Sequence, residues 1–413
     1  MQFQRVLLAS AFFVLPLLSP AQDWPTWRGP KRDGLSTETG LLKQWPAGGP
    51  KLAWKATGIG GGFSSVSVAG NRIYTMGDGV NDLFVHALDR ATGKIVWSTK
   101  AGLPGGHKGY PGPRSSPTVD GDALYVLTQN GDLICLDLAS GAERWKKNVQ
   151  SDFGGKMMSG WRWSESPLVD GDKVIVTPGG DQGAVVALNK KTGVLIWRTK
   201  ELTDPAAYAS LVPVEIGGAR QYIVFTGASV AGVAAANGKM LWHSERIGKT
   251  AVIPTPVWKD NLVFVTSGYG IGCNLIKVSG SGNAFKAEQL YANTDMAVHH
   301  GGIVLLGDHV YGMSGRRDIE CICMELKSGK VVWSDKSVGK GAIAYADGHL
   351  YLRSESKGEV ALVEATPAGY KEKGRFTQPE RSARMAWPHP VIAGGKLFLR
   401  DQDKLFCYDV KGK

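Results

Sequence analysis

The chain has 413 residues, 55 of them glycine and only 21% charged, a balance that suits many short strands joined by tight turns. Its net charge is +11, but lysine and arginine are spread along the chain, so no basic stripe points to a nucleic-acid partner. Five cysteines occur without a C-x-x-C-H motif or a C-x-x-C pair, which argues against covalent haem and against a zinc site.

Arg5 precedes an apolar run over residues 6–18, and Ser19-Pro20-Ala21 supplies small residues for cleavage. This pattern predicts a signal peptide over residues 1–21. The run is short for a membrane span, and no cysteine follows it to carry a lipid. The expectation is an exported, soluble protein, periplasmic or extracellular, without a lipoprotein anchor. Residues 22–50 hold Trp24-Pro25-Thr26-Trp27-Arg28-Gly29-Pro30 and Leu41-Leu42-Lys43-Gln44-Trp45-Pro46 with no sustained period, and read as an irregular strap lying on the domain that follows.

Residues 51–413 are organised by a repeat. Ala87-Leu88-Asp89-Arg90-Ala91-Thr92-Gly93-Lys94-Ile95-Val96-Trp97 reads as a strand, a tight turn and a second strand ending in tryptophan. Copies end at Trp145, Trp197, Trp242 and Trp333. The Asp or Asn initiates the turn, glycine supplies positive φ, and the tryptophan offers a large apolar face with one N–H to satisfy. Strand-only repeats of this period predict a propeller. The C-terminal Lys404-Leu405-Phe406-Cys407-Tyr408-Asp409 is the first half of a repeat, and Lys51-Leu52-Ala53-Trp54 is the missing second half, so the chain ends should share one sheet. Taking Phe285 and Phe376 as the closing aromatics of two degenerate repeats gives an all-β, eight-bladed β-propeller of four-stranded antiparallel blades. Trp54, Trp97, Trp145, Trp197, Trp242 and Trp333 form its structural docking motif.

Each repeat opens on an innermost strand, as at Ser116-Pro117-Thr118-Val119 and Ser166-Pro167-Leu168-Val169. Residues just before these strands collect at one mouth of the channel and differ from blade to blade. They supply the candidate ligand-binding residues Arg114, Trp163, Glu165, Tyr208, His299, His300, Arg384, Trp387 and His389. Aromatics beside cations and a carboxylate suit a small molecule, a polysaccharide or a protein partner. Adjacent histidines in a strand point opposite ways, so one of His299 and His300 should face inward and the other be buried. Glu165 is either a general base or calcium ligand, or the ion-pair partner of Arg114 or Arg162. Cys273, Cys321 and Cys323 leave room for one disulfide, whose pairing the sequence does not assign. No motif specifies catalytic residues or a metal site. The protein is expected to be a monomer.

The A-x-D-x-x-T-G-x-x-x-W unit at residues 87–97 resembles the pyrroloquinoline quinone (PQQ) propeller repeat, and the resemblance covers nearly all of the chain after residue 21. The opening Trp24–Pro30 segment and Gly34-Leu35-Ser36 also look like the lead-in of quinoprotein alcohol dehydrogenases. The whole is similar to the exported PQQ-like proteins of planctomycete-type bacteria and to BamB-like propellers. The resemblance implies an eight-bladed fold with tryptophan docking. It departs from the dehydrogenases, which carry a vicinal cysteine pair and a calcium-binding Glu; this chain has no Cys-Cys, and Thr177-Pro178-Gly179-Gly180-Asp181 stands where that loop should be. The residues therefore favour a binding or scaffold propeller acting through its channel mouth. The alternative is a PQQ- and calcium-dependent dehydrogenase of an alcohol or sugar.

Overall fold

The structure, a computed structural model, describes residues 23–282, 284–315 and 319–412. The segment read as a signal peptide lies outside the described residues. Eight antiparallel sheets follow one another along the chain, each ordered from an inner to an outer strand. Blade 1 covers residues 67–102, blade 2 residues 118–148, blade 3 residues 168–198 and blade 4 residues 212–245. Blade 5 covers residues 257–293, blade 6 residues 298–335 and blade 7 residues 341–377. Blade 8 takes its three inner strands from residues 391–409 and its outer strand from Lys51–Ala56, with Trp54 opposite Cys407. The ring thus closes on the chain's own two ends, as the half-repeats at its termini require.

Eight apolar clusters fill the eight seams, one between each pair of neighbours. In every blade the outer strand loses register with its neighbour at a bulge. A bulge bends and twists the strand, and in seven blades the residue after it is the docking aromatic. A Cβ at Gly141 would lie 2.6 Å from the Trp97 ring, and one at Gly193 2.9 Å from Trp145; Gly93 and Gly238 meet Trp54 and Trp197 in the same way, so at these four seams the ring rests on the turn glycine of the following blade. The indole N–H of Trp145 donates to Lys190 O at 3.0 Å and that of Trp333 to Thr366 O at 2.9 Å. Both the glycine and the tryptophan of the repeat are used between blades.

The two degenerate blades correct the sequence reading. In blade 5 the residue after the bulge, opposite Leu275, is Tyr291 and not Phe285. Tyr291 packs over Gly329, and its hydroxyl donates to Leu326 O at 2.7 Å, replacing the tryptophan in both respects. Phe285 lies further out on an extended hairpin and faces backwards, toward Gly217 of blade 4. In blade 7 the position after the bulge is Gly374, and Trp45 of the N-terminal segment sits over it. Phe376, two residues on, contacts Gly49 ahead of the outer strand of blade 8, so that wedge is composite.

The N-terminal segment does more than lie on the ring. Trp24 bridges to Val68 of blade 1, and Pro25 O accepts from Val119 N of blade 2. Arg32 donates to Ser166 O and Pro167 O at the start of blade 3, and Trp27 Nε1 to Thr255 Oγ1 beside blade 5 at 2.9 Å. Arg28 bonds Ile303 O of blade 6, and Leu35–Ser36 pairs in parallel with Tyr345 and Ala346 of blade 7. A segment that reaches inner strands all round the ring occupies its axis: residues 24–36 are a plug. Arg28 and Arg32 both hold positive φ (62° and 59°), a conformation that costs a non-glycine residue about 1–3 kcal/mol. Their buried guanidinium groups donate to Ile303 O of blade 6 and to Ser166 O and Pro167 O just ahead of blade 3, which anchors the segment.

All five cysteines are free and buried, so the disulfide among Cys273, Cys321 and Cys323 does not form. Cys321 and Cys323 pack into the seam between blades 6 and 7, and Cys273 into the seam between blades 5 and 6.

Candidate functional site

A cavity of about 240 Å³ opens at the channel mouth above the plug. Its floor is Trp27, and its walls come from the loops that carry the chain from one blade into the next inner strand. Of the nine predicted site residues, Arg114, Tyr208, His299, His300, Trp387 and His389 line it.

Arg114 follows a small hairpin, Gly106–His107 paired with Tyr110–Pro111, that folds over the mouth. Its guanidinium donates to Tyr110 O at 2.7 Å and Gly112 O at 3.3 Å. It lies 5.4 Å from the Phe63 ring centroid and 5.9 Å from that of Trp161. Among the described residues no carboxylate comes within ion-pair distance of it. Burial pulls its pKa down to about 10, so the cation persists at neutral pH.

His299 and His300 both face the cavity, with ring centroids 3.6 Å apart. The alternation expected of a regular strand fails because blade 6 has a register break between Val298 and Ile303, where Gly302 takes φ +68°. His300 Nδ1 lies 3.3 Å from Glu355 Oε2, and Lys340 Nζ is 3.2 Å from Glu355 Oε1. Burial lowers the pKa of His300 even against the pull of Glu355. Burial and the neighbouring His300 bring His299 down to about 2. Burial opposes ionisation of Glu355, yet His300 and Lys340 hold it below the usual carboxylate range. The site at pH 7 is two neutral imidazoles, one carboxylate already paired with Lys340, and the separate cation of Arg114.

Trp387 stacks on His300 at 4.2 Å and also meets Phe63 and Tyr110. Its indole nitrogen is buried without a hydrogen-bond partner. The Tyr208 hydroxyl is 2.6 Å from Ser159 Oγ, and burial raises its pKa, so it stays a phenol. His389 is a structural element of the floor. Its Nε2 lies 2.9 Å from His300 O, it packs against Trp27, and burial beside Arg28 lowers its pKa to about 3.

Three predicted residues lie elsewhere. Trp163 is 3% exposed and packs in the seam between blades 2 and 3, because its strand entry turns the ring away from the axis. Glu165 is buried beneath the plug and accepts from Thr177 N; the cation that reaches it is Arg32, neither Arg114 nor Arg162. Burial raises its pKa to about 7. Arg384 is exposed and latches the mouth hairpin by donating to Gly109 O at 2.7 Å. Sequence reasoning missed Trp27, Phe63, Tyr110, Lys340 and Glu355. Glu355 and Lys340 belong to blade 7, whose degenerate repeat hid its loops, and Trp27 reaches the site only because the plug enters the ring.

Residues 81–335 match the family described as outer membrane protein assembly factor BamB. The chain belongs to this family of PQQ-repeat propellers. A BamB from Yersinia pestis is 25% identical over 239 residues, 54% of this chain and 56% of that protein. A BamB from Nitrosomonas eutropha is 24% identical over 314 residues, 62% of this chain and 74% of its own. The chain thus spans about half the length of the first of these curated relatives. Among solved structures, BamB from Moraxella catarrhalis superposes with a TM-score of 0.56 at 15% identity, over 82% of this chain and 94% of that one. Quinohemoprotein alcohol dehydrogenase from Comamonas testosteroni gives 0.67 at 13% identity, over 95% and 81%. At such identities the likeness shows the fold alone.

Proposed function

We propose that this protein is an exported binding propeller that holds a small anionic ring ligand in the mouth cavity. One observation carries the reading: Arg114 is a half-buried cation that donates to carbonyls, has no carboxylate in ion-pair contact among the described residues, and sits in a cavity walled by flat rings. A half-buried cation without an ion-pair partner attracts an anionic ligand, and the aromatic walls would cover that ligand's ring. The exposed apolar side chains Val80, Leu103 and Ile247 sit on loops of the same face and suit a scaffold role toward a protein partner. The relatives named for outer membrane protein assembly make such a partner a reasonable second use of that face.

The quinoprotein alternative is less well supported. Calcium takes six to eight oxygen ligands, whereas Glu355 is the one carboxylate of the cavity wall and already holds Lys340 and His300. Among the described residues no three His, Cys, Asp or Glu side chains converge on a metal position. These residues do not fit a calcium centre. PQQ without calcium is itself an anionic ring and belongs among the ligands to be tried.

The test is a titration followed by tryptophan fluorescence, which Trp27, Trp161 and Trp387 should report. Galacturonate oligomers and PQQ should quench saturably, neutral glucose oligomers at least about tenfold more weakly, and Arg114→Gln should abolish the difference. Equal affinity for charged and neutral ligands, or no binding of either, would overturn the reading. Dye reduction by an alcohol with PQQ and calcium would instead restore the dehydrogenase.

A further inference from the structure

We infer that the mouth cavity is built for proton transfer on a bound sugar acid, with His300 as base, Tyr208 as acid and Arg114 as carboxylate anchor. The inference rests on the binding reading above and adds chemistry to it.

The geometry motivates each role. His300 presents Nδ1 to Glu355 at 3.3 Å, an arrangement that fixes the tautomer with the proton on Nδ1 and leaves Nε2 as the basic atom. Trp387 on one face and His299 on the other hold the ring in place. Lys340 balances the Glu355 charge, so the carboxylate orients the imidazole without drawing a second proton into the site. Tyr208 is 5% exposed, remains a phenol, and lies within electrostatic reach of Arg114, which would stabilise the phenolate left after donation. Base, acid and cation share one cavity walled by aromatic rings, the surface that the C–H face of a pyranose stacks on.

A carbon bearing a carboxylate is acidified when a cation neutralises that carboxylate, because the charge that develops on its oxygens is then stabilised. With the carboxylate on Arg114, His300 Nε2 removes the proton from the adjacent carbon. The electrons of that C–H bond form a carbon–carbon double bond to the next ring carbon. The bond from that carbon to its glycosidic oxygen breaks, and the oxygen leaves with the proton of Tyr208. The products are an unsaturated sugar acid and a free hydroxyl; a proton returns from His300 to Tyr208 through solvent. No oxidant, metal or cofactor enters the balance.

The experiment uses the full mature chain with oligogalacturonate, oligomannuronate and oligoglucuronate as separate probes. Binding is followed calorimetrically, and elimination by the ultraviolet absorbance of the conjugated product. At least one oligomer should bind and yield the unsaturated acid. His300→Asn should lose at least about a hundredfold in rate, while an unfolding midpoint and circular dichroism spectrum matching the parent's show that the variant is folded. Glu355→Gln should lower the rate and shift its pH profile, because the imidazole of His300 loses the carboxylate that orients it. Binding of none of the three overturns this inference, and failure of PQQ to bind as well overturns the binding reading. Binding without unsaturated product, and without deuterium exchange at the carbon beside the carboxylate, overturns this inference and leaves the binding reading standing. Product formation that survives His300→Asn overturns the assignment of the base.

Discussion

At the periphery of the ring, Trp97, Trp145 and Trp197 each meet the same kind of partner, a turn glycine of the following blade. At the axis no one residue recurs from blade to blade at a fixed place: blade 6 opens with His299 and His300, blade 7 contributes Lys340 and Glu355, and the way into blade 2 contributes Arg114. The difference has a physical origin. A seam between blades is the same packing problem solved eight times, so one solution recurs. The mouth encloses a single volume, and residues facing it have no reason to repeat. Even the exceptions at the periphery keep the rule, since Tyr291 and Trp45 restore an aromatic wedge where the repeat lost its tryptophan.

The largest expected effect tests whether the two regions are energetically separate. Trp197 is 8% exposed and rests on Gly238, so Trp197→Ala should cost about 3–5 kcal/mol in denaturant unfolding. Ligand affinity of the folded fraction, measured by titration, should be unchanged. Altered affinity would show that the seams and the mouth are coupled.

The next effect concerns Glu165, which lies between them, under the plug. Burial raises its folded pKa to about 7, above the unfolded value near ~4.3, so the folded state binds more protons between those two values. Stability from this group is therefore fullest below about pH 4 and declines as pH rises to about 7, by an amount on the order of 3 kcal/mol. Glu165→Gln should flatten that part of the stability-against-pH curve. An unchanged slope would mean that Arg32 keeps the carboxylate ionised throughout.

The smallest effect sharpens the role of the plug at the mouth. Trp27 is only partly buried, and its hydrogen bond to Thr255 is one of many that hold the segment. Trp27→Ala should weaken ligand binding about tenfold while lowering the unfolding midpoint little, because it removes the cavity floor and leaves Arg28 and Arg32 in place. A large loss of stability with unchanged affinity would assign Trp27 to the scaffold.

The sequence determined the blade count and the sharing of one blade by residues 51–56 and 404–409, because those features recur and recurrence can be read along a chain; it set Trp54 against Asp409, where the structure pairs Trp54 with Cys407. It also located the mouth, and six of the nine residues it nominated do line the cavity. The tertiary structure alone decided the rest. Trp163 and Glu165 precede an inner strand as the others do, yet the turn of the backbone sends one into a seam and the other under the plug. The two histidines share a face because blade 6 breaks register at Gly301-Gly302, an event with no periodic signal. Trp27 becomes part of the site because residues 24–36 enter the ring, where Arg28 and Arg32 bond carbonyls in or just ahead of the inner strands. Such contacts join residues more than a hundred positions apart, and only the closed ring brings them together.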